Sequence, residues 1–464
     1  MSSKKVNLIA GPIGKTLVKL TWPMVFGMLG LIIFNLTDTF YIGRLGVSEL
    51  AAISFTFPVV TLINSIGQGM GIGTASLVSR SIVSEDIGKV RQYATNALLL
   101  AVIIVLTFVV LGQSTLDPVF RSLGASDQIR PLVKEYMRVW LWGVPFVVVP
   151  VVGNNIMRAT GDTFTPGMIM VASAVLNAIM DPILIFGLGP IPAMGLKGAA
   201  LGTVMSRALG FIAALYILIY REKLLTRSIP ALKKVLETWK QILYVAAPAT
   251  AGMLITPISI GVITRFISSY GKEAVASFGI VSRVEMFILM IVAALASVMT
   301  IFSGQNWGAK KNNRIAIAYR YASSFSMGWG LLLFSVCLFF SSGLAGIFSS
   351  NQHVIRVASQ FLKIVSVSYG FQGIVMLSGA VLNGINKPMT AMTITLTRML
   401  ILYVPMAYIF SKFWGLTGIF WSAFIANILT GVYAFVQVNI NIQARKKTVK
   451  TVVQNLSFKK QNNG

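Results

Sequence analysis

The sequence predicts an all-α polytopic membrane protein, with twelve transmembrane helices in two pseudo-symmetric six-helix lobes around a central cavity. Three observations predict this fold class. The 464 residues are 55% hydrophobic and only 11% charged, and the mean hydropathy is +0.78, whereas a soluble chain carries about 25% charged residues. Twelve apolar stretches are long enough to be helices that cross a bilayer. The second half of the chain also repeats landmarks of the first.

Each apolar stretch can cross a hydrocarbon core of ~30 Å as an α-helix. In chain order they lie at about residues 16–41, 50–79, 93–113, 132–156, 165–187, 196–220, 241–266, 273–303, 315–341, 356–382, 390–411 and 415–441. An even number of spans places both termini on the same side of the membrane.

The basic side chains indicate which side that is. A net charge of +26 is compatible with nucleic-acid binding, but most Lys and Arg lie in alternate connections between spans and in the C-terminal tail. This distribution is the positive-inside pattern of a multispan protein. We therefore expect both termini in the cytoplasm, a location in the inner (plasma) membrane, the lipid bilayer as surroundings and no nucleic-acid partner. No cleavable signal peptide is predicted.

Proline and glycine landmarks divide the chain into two repeats. Pro23 and Gly46 are separated by the same interval as Pro248 and Gly271. Six spans in each half give parallel repeats, with a cavity expected between them. We predict an N-terminal lobe at 1–225, a cytoplasmic linker at 226–240, a C-terminal lobe at 241–445 and a basic cytoplasmic tail at 446–464.

The stretch 171–188 carries Asn177 and Asp181 inside an apolar run. Their spacing of four places them on one helix face. A charged residue at the bilayer centre costs ~2.5–3.5 kcal/mol on insertion scales, so a use for the charge is expected; the alternative is an aspartate that reaches the interface from a helix end. The matching positions of the second repeat are Leu400 and Val404, so the repeated scaffold does not require these polar residues.

Asp38 in the first span is a second intramembrane acid, and its counterpart in the second repeat is Ile263. Asn35 lies on the same helix face three residues earlier. The alternative is an acid close to the outer end of the span. Because spans one and five both end near the outer face, we predict that Asp38 and Asp181 face one another within the N-terminal lobe.

Other polar residues in the spans are weaker candidates. Glu285 in span eight is a candidate accessory acid, with local pairing, for instance to Arg283, as the alternative. Asn35, Gln68 and Asn154 are candidate substrate-binding residues, and ordinary hydrogen bonds between helices would also explain them.

Enzyme motifs are absent from the sequence. One Cys and one His allow neither a disulfide nor a histidine metal cluster, and there is no phosphate-binding Gly-Lys-Ser/Thr loop or Cys/His dyad. We predict no enzyme activity, no cofactor and no metal centre, except that Na⁺ could bind at Asp38 and Asp181.

Seven motifs carry a resemblance to a known family. They are LTWPMVFG at 20–27, DTFYIGRLGVSELAA at 38–52, MRATGDTFTP at 157–166, LNAIMDPILIFG at 176–187, MGLKGAALGT at 194–203, GQNWGA at 304–309 and LNGINKP at 382–388. Together they resemble the multidrug and toxic compound extrusion (MATE) transporters, and within them the bacterial and archaeal DinF-like branch. The resemblance covers nearly the whole chain.

The resemblance implies an exporter with two six-helix lobes and a V-shaped cavity. It implies exchange of small-molecule drugs or organic cations, often aromatic, for entering H⁺ or Na⁺, by a protein that functions as a monomer. On the family pattern the cation-coupling residues are Asp38, Asn177, Asp181 and Thr203. The C-terminal lobe has no aspartate, which disfavours the mechanism of the branch that binds the cation there.

These residues suggest a hypothesis for coupling. Two carboxylates that share a buried site repel each other, so the site favours uptake of a proton or Na⁺. The segment Asn35–Asp38 or the kink expected at Pro182 can then repack and expel the drug. The alternatives are a lipid-linked oligosaccharide flippase, for which Arg207, Arg283 and Arg398 could hold a pyrophosphate, and, from other classes, a polytopic membrane enzyme or a channel.

Overall fold

The computed structural model describes residues 7–84, 86–226 and 231–461, and the side chains up to residue 444 apart from Ser84. Lys4 and Lys5, the linker residues 227–230 and the side chains of the basic tail at 446–464 lie outside the described residues. The orientation predicted from the distribution of Lys and Arg along the whole chain stays a prediction.

The described chain is helical almost throughout, as its composition predicts. The helices, in order, are α1 (Ile13–Gly43), α2 (Val47–Ser81), α3 (Ile87–Ser122), α4 (Arg130–Ala159), α5 (Phe164–Phe186), α6 (Gly195–Tyr216), α7 (Leu232–Ser268), α8 (Lys272–Gly308), α9 (Asn312–Gly346), α10 (Gln352–Val365), α11 (Tyr369–Gly384), α12 (Pro388–Leu396) and α13 (Val404–Gln461). Two π-helical segments, Ile217–Arg221 and Thr397–Tyr403, continue α6 and α12.

The described residues contain 11 helical segments that are long and apolar enough to cross a membrane. The last of them, Pro388–Ala444, is 57 residues long and contains Gly415, whose φ of 57° and ψ of −141° interrupt the helix. Gly415 lies at the boundary predicted between the stretches 390–411 and 415–441. Counted on the two sides of Gly415, the segments correspond to the twelve predicted spans, and the polytopic all-α fold class is confirmed.

The chain divides into two compact units. Unit 1 contains Val18–Thr250, and its core includes Val105, Met137 and Val144. Unit 2 contains Leu8–Leu17 together with the chain from Ala251 onward, and its core includes Val281, Leu362 and Ile419. The predicted lobe boundaries at 225 and 241 stay a prediction.

Glycines bring α1 and α5 of unit 1 into close contact. A Cβ atom on Gly27 would lie 3.0 Å from the Cα of Gly167, and one on Gly30 would lie 3.3 Å from the Cα of Val171. Both contacts advance in the same direction along the two helices, so α1 and α5 pack in parallel. Parallel packing carries the C-terminal half of α1 alongside the C-terminal half of α5.

Glycines also determine how α6 packs on α5. A side chain on Gly202 would collide with the Asp181 carboxylate, and a Cβ on Gly210 would lie 2.8 Å from the Ser173 hydroxyl. The contacts are eight residues apart on both helices and run in opposite directions, so the helices are antiparallel. Because eight residues span a little more than two helical turns, the polar face of α5 lies against the glycines of α6.

The N-terminus of α5 is held by a partly buried ionic cluster. The Asp162 carboxylate accepts hydrogen bonds from the Thr165 backbone N–H (3.0 Å) and hydroxyl (2.6 Å). Arg221 donates to the same carboxylate at 3.2 Å and to the Thr165 hydroxyl at 3.0 Å. An aspartate that caps a helix start satisfies backbone donors that have no partner within the helix. This cluster therefore ties the start of α5 to the end of the sixth span.

Candidate functional site

Asn177 and Asp181 form a hydrogen-bonded pair in the interior of unit 1. Both residues are 0% exposed, and the Asn177 amide nitrogen donates to Asp181 Oδ1 at 2.8 Å. Their spacing of four residues places them on one face of α5, as predicted. The hydrogen bond orients the amide so that its oxygen, Asn177 Oδ1, and the second carboxylate oxygen, Asp181 Oδ2, have no hydrogen-bond partner.

The α6 side of the pair consists of Gly202 and Thr203. Gly202 has no side chain, and this allows Asp181 Oδ1 to approach the α6 backbone. Thr203 is 6% exposed, and its hydroxyl oxygen has no hydrogen-bond partner. The motif MGLKGAALGT named Thr203, but nothing identified Gly202 as the residue that makes room for Asp181.

Asp38 completes the group from α1. It lies close enough to Asp181 for the two carboxylates to interact electrostatically, as predicted from the common direction of spans one and five. Its Oδ1 atom is buried and has no hydrogen-bond partner. We refer to Asp38, Asn177, Asp181 and Thr203 as the acid cluster.

Two further residues border the acid cluster. Tyr136 of α4 is 5% exposed and lies beside Asp38, Asp181 and Thr203. Nothing in the sequence marks Tyr136 as a neighbour of the acids, because its position depends on how α4 packs against other helices. Arg207 of α6 lies near Asp38, and its guanidinium stacks on the Phe34 ring at 4.4 Å from the centroid. The sequence offers Arg207 as a candidate pyrophosphate ligand for a flippase, but it does not show that Arg207 lies near Asp38.

Four oxygen atoms of the acid cluster therefore lack a hydrogen-bond donor: Asp38 Oδ1, Asn177 Oδ1, Asp181 Oδ2 and Thr203 Oγ1. Buried polar atoms normally have partners, and an unmet one costs about 1–3 kcal/mol. Carboxylate, amide and hydroxyl oxygens are acceptors that a proton or a small hard cation satisfies. The described residues contain no group of three His, Cys, Asp or Glu that could hold a metal ion.

The other candidate substrate-binding residues are Asn35, Gln68 and Asn154. The side chains of Asn35 on α1 and Gln68 on α2 are exposed. Asn154 of α4 is 7% exposed, and its Oδ1 has no partner. None of the three has a hydrogen bond to the acid cluster among the described residues. Their assignment to substrate binding stays a prediction.

Glu285 belongs to unit 2, where it is half-buried on α8. It lies beside Tyr369 of α11 and is close enough to Arg398 to interact electrostatically. Arg398 is in the π-helical segment Thr397–Tyr403. The sequence named Arg283 as the local alternative partner, but the Arg283 side chain is exposed, because two residues along a helix turn a side chain by roughly 200°.

Comparison with known proteins identifies the family. The model of the family described as MatE matches residues 23–183 and again residues 248–409. The two matches begin at Pro23 and Pro248, the prolines that start the repeat seen in the sequence. Together they cover more than half of the chain.

Relatives with known names agree with this match. The chain is 35% identical to a protein named "FAD transporter" of Shewanella oneidensis, covering 92% of this chain and 95% of the relative. It is 27% identical to the "Multidrug export protein MepA" of Staphylococcus aureus, covering 91% and 93%. The crystal structure of the Vibrio cholerae MATE transporter VcmN in the bent form matches with a TM-score of 0.89 and 30% identity, over 93% and 97% of the two chains. The chain is therefore a multi-pass membrane protein and a transporter, not an enzyme, and it belongs to the MATE family.

Proposed function

We propose that the protein is a secondary active antiporter, which exports organic compounds, often cationic or aromatic, in exchange for entering H⁺ or Na⁺. The observation that carries this proposal is the group of four unpartnered oxygens in the acid cluster. Two carboxylates that interact electrostatically in a protein interior favour the uptake of a positive charge, because like charges repel strongly where the dielectric constant is low. The relative named as a multidrug export protein supports organic compounds as cargo.

The acid cluster gives the cation a way to act on the helices. Asp38 is on α1, Asn177 and Asp181 are on α5, and Thr203 is on α6. Without a cation the two carboxylates repel, and with one they share a positive charge. The preferred separation of α1 and α5 therefore differs between the two states. A ligand shifts a conformational equilibrium only through such differential binding.

The test is transport by the purified protein in proteoliposomes, with a pH gradient and a sodium gradient imposed separately and ethidium as the probe. We expect either the pH gradient or the sodium gradient to drive the uptake of ethidium against the concentration gradient of ethidium. Asp38→Asn and Asp181→Asn keep the shape of the side chain but remove its charge, and both should abolish this accumulation. Asp117→Asn is the matched control, because Asp117 is an exposed acid paired with Lys134. Full accumulation by both cluster variants would refute the proposal.

A second candidate cargo is a flavin nucleotide. The relative named as an FAD transporter shares 35% identity over nearly the whole chain and favours it. The same proteoliposomes loaded with FAD decide between the two. FAD efflux driven by the ion gradient, with no ethidium transport, would narrow the proposed cargo to dinucleotides.

A lipid-linked oligosaccharide flippase is less well supported by the structure. Of the three arginines considered for a pyrophosphate, Arg207 lies near Asp38 and Arg398 lies near Glu285, while Arg283 is exposed. An arginine that already has an acidic neighbour offers less attraction to a phosphate. Rescue of a flippase-deficient strain, without ethidium transport, would overturn our preference.

The remaining assignments are part of the same proposal. We place the chain in the DinF-like branch because both acids of the cluster belong to the first repeat and no Asp or Glu follows Glu285. We propose an inner-membrane protein with cytoplasmic termini that functions as a monomer. Accessibility of single cysteines at the two ends of the chain tests the orientation.

A further inference from the structure

Arg207 is a charged residue in the middle of a membrane span, and it does not face the lipid. The span Gly195–Arg221 is 27 residues long, and Arg207 lies near its centre. The exposed apolar side chains of α6 are Met205, Leu209, Ile212 and Tyr216. Arg207 lies roughly 140–200° around the helix from each of them. It therefore points to the side of α6 opposite the exposed apolar face, towards the interior of unit 1.

The immediate surroundings of Arg207 do not satisfy its charge. The guanidinium stacks on the face of Phe34 at 4.4 Å, a cation–π contact. Its Nε atom is buried and has no hydrogen-bond partner. No carboxylate lies within ion-pair distance among the described residues, and the nearest compensating charge is Asp38, which is on α1 one helical turn beyond Phe34. Arg207 is therefore held against Phe34 at a position from which its charge interacts with that of Asp38.

The acid cluster and Arg207 together carry an unbalanced formal charge. When both carboxyl groups are ionised, Asp38 and Asp181 contribute two formal negative charges and Arg207 contributes one positive charge, while Tyr136, Asn177 and Thr203 contribute none. The formal total is a single negative charge. An unbalanced charge in a low-dielectric interior is unfavourable, so one monovalent cation balances the group and a second would be in excess.

We propose that Arg207 is a fixed counter-ion that limits the acid cluster to one monovalent cation in each transport cycle. This inference rests on the proposed function. It makes the exchange of a monovalent organic cation for H⁺ or Na⁺ electrically neutral. Without Arg207 the same two carboxylates would carry a double negative charge and would take up two cations.

The stoichiometry is measured in proteoliposomes whose membrane potential is clamped at zero with valinomycin and K⁺. For each imposed pH or sodium gradient, the ethidium gradient at which net flux stops is determined. With one cation per ethidium, a tenfold cation gradient balances a tenfold ethidium gradient. With two cations it balances a hundredfold gradient. For a tenfold cation gradient, we expect net flux to stop at a tenfold ethidium gradient in the parent and in Arg207→Lys, which keeps the charge. In Arg207→Gln we expect it to stop at a hundredfold ethidium gradient.

The outcomes separate this inference from the proposed function. If ethidium transport by the parent protein depended on neither the pH gradient nor the sodium gradient, the proposed antiport function itself would be refuted. If a tenfold cation gradient balanced a hundredfold ethidium gradient in the parent, or a tenfold ethidium gradient in Arg207→Gln, the antiport function would stand but the proposed role of Arg207 would be refuted.

A second measurement covers variants that fold but do not transport. The uptake of ²²Na⁺ or protons by the purified protein in detergent is compared with that of the double variant Asp38→Asn/Asp181→Asn. We expect the parent to bind one cation per protein molecule. Asp181→Asn should bind none, because Asp38 is then the one remaining acid of the cluster and Arg207 balances its charge. Two cations for the parent, or one for Asp181→Asn, would show that Arg207 does not enter the charge balance.

Discussion

Replacement of Gly202 by alanine tests whether the acid cluster depends on a close approach between α5 and α6. The new methyl group would overlap Asp181 Oδ1 and would lie 3.6 Å from both the Cα and the Cγ of Asp181. The backbone of α5 need not move, since 3.6 Å is an ordinary contact distance. The carboxylate oxygen has to retreat by roughly 1 Å to reach such a distance.

The free-energy cost of displacing this oxygen follows from its contacts. Asp181 Oδ1 accepts the hydrogen bond from Asn177 at 2.8 Å, and a displacement of this size stretches it beyond hydrogen-bond length. Overpacking of a well-filled interior typically costs about 1–3 kcal/mol. If this free energy is lost in the conformation that binds the cation, the affinity of the site for its cation falls roughly 5- to 150-fold.

The assay is ethidium transport in proteoliposomes as a function of the driving cation concentration. We expect Gly202→Ala to raise the cation concentration for half-maximal transport by at least fivefold. Gly210→Ala is the matched control, because its methyl group meets the Ser173 hydroxyl on the same helix interface, away from Asp181. An unchanged cation dependence in Gly202→Ala, or an equal loss in Gly210→Ala, would refute the reasoning.

Three further variants probe other parts of the chain. Asp162→Ala removes the acceptor of the Thr165 backbone N–H at the start of α5 and one acidic partner of Arg221, and should lower the free energy of unfolding by roughly 1–3 kcal/mol, seen as a lower midpoint of thermal unfolding. Asn351→Ala removes the side chain that accepts from the His353 and Val354 backbone N–H groups at the start of α10, and should cost about 1 kcal/mol in the same measurement. Glu285→Gln should leave the number of coupled cations unchanged in the reversal experiment; a changed number would place Glu285 among the coupling residues.

Hydropathy predicted the spans well because a bilayer imposes a simple rule. Every backbone polar group has to be satisfied within the segment, so an apolar stretch of sufficient length becomes a helix. The last two spans show that hydropathy can also predict where one span ends and the next begins. The sequence separates them at 411–415, and the helix is interrupted at Gly415, where the positive φ of 57° suits a residue without a side chain.

The acid cluster was only partly predictable from the sequence. Periodicity shows that Asn177 and Asp181 share a face of α5, but it does not show which helix that face contacts. The contact with α6 depends on the positions of Gly202 and Gly210 relative to Ser173 and Asp181, and this register is set by packing. Tyr136 was missed for the same reason, because its position beside the carboxylates depends on how α4 packs against other helices.

The two repeats share landmarks but differ in the charge of their interiors. In unit 1 the ionised acid cluster and Arg207 together leave a single formal negative charge, whereas in unit 2 Glu285 lies close enough to Arg398 for their charges to interact, and that pair is formally neutral. A neutral pair balances itself and requires no mobile ion, but a negative group requires one in every state in which it is buried. Since the prolines and glycines show that the scaffold is common to both repeats, the scaffold cannot account for the extra acid. We therefore expect the ion gradient to act on unit 1, through α1 and α5, while Glu285 and Arg398 keep the interior of unit 2 free of a coupled cation.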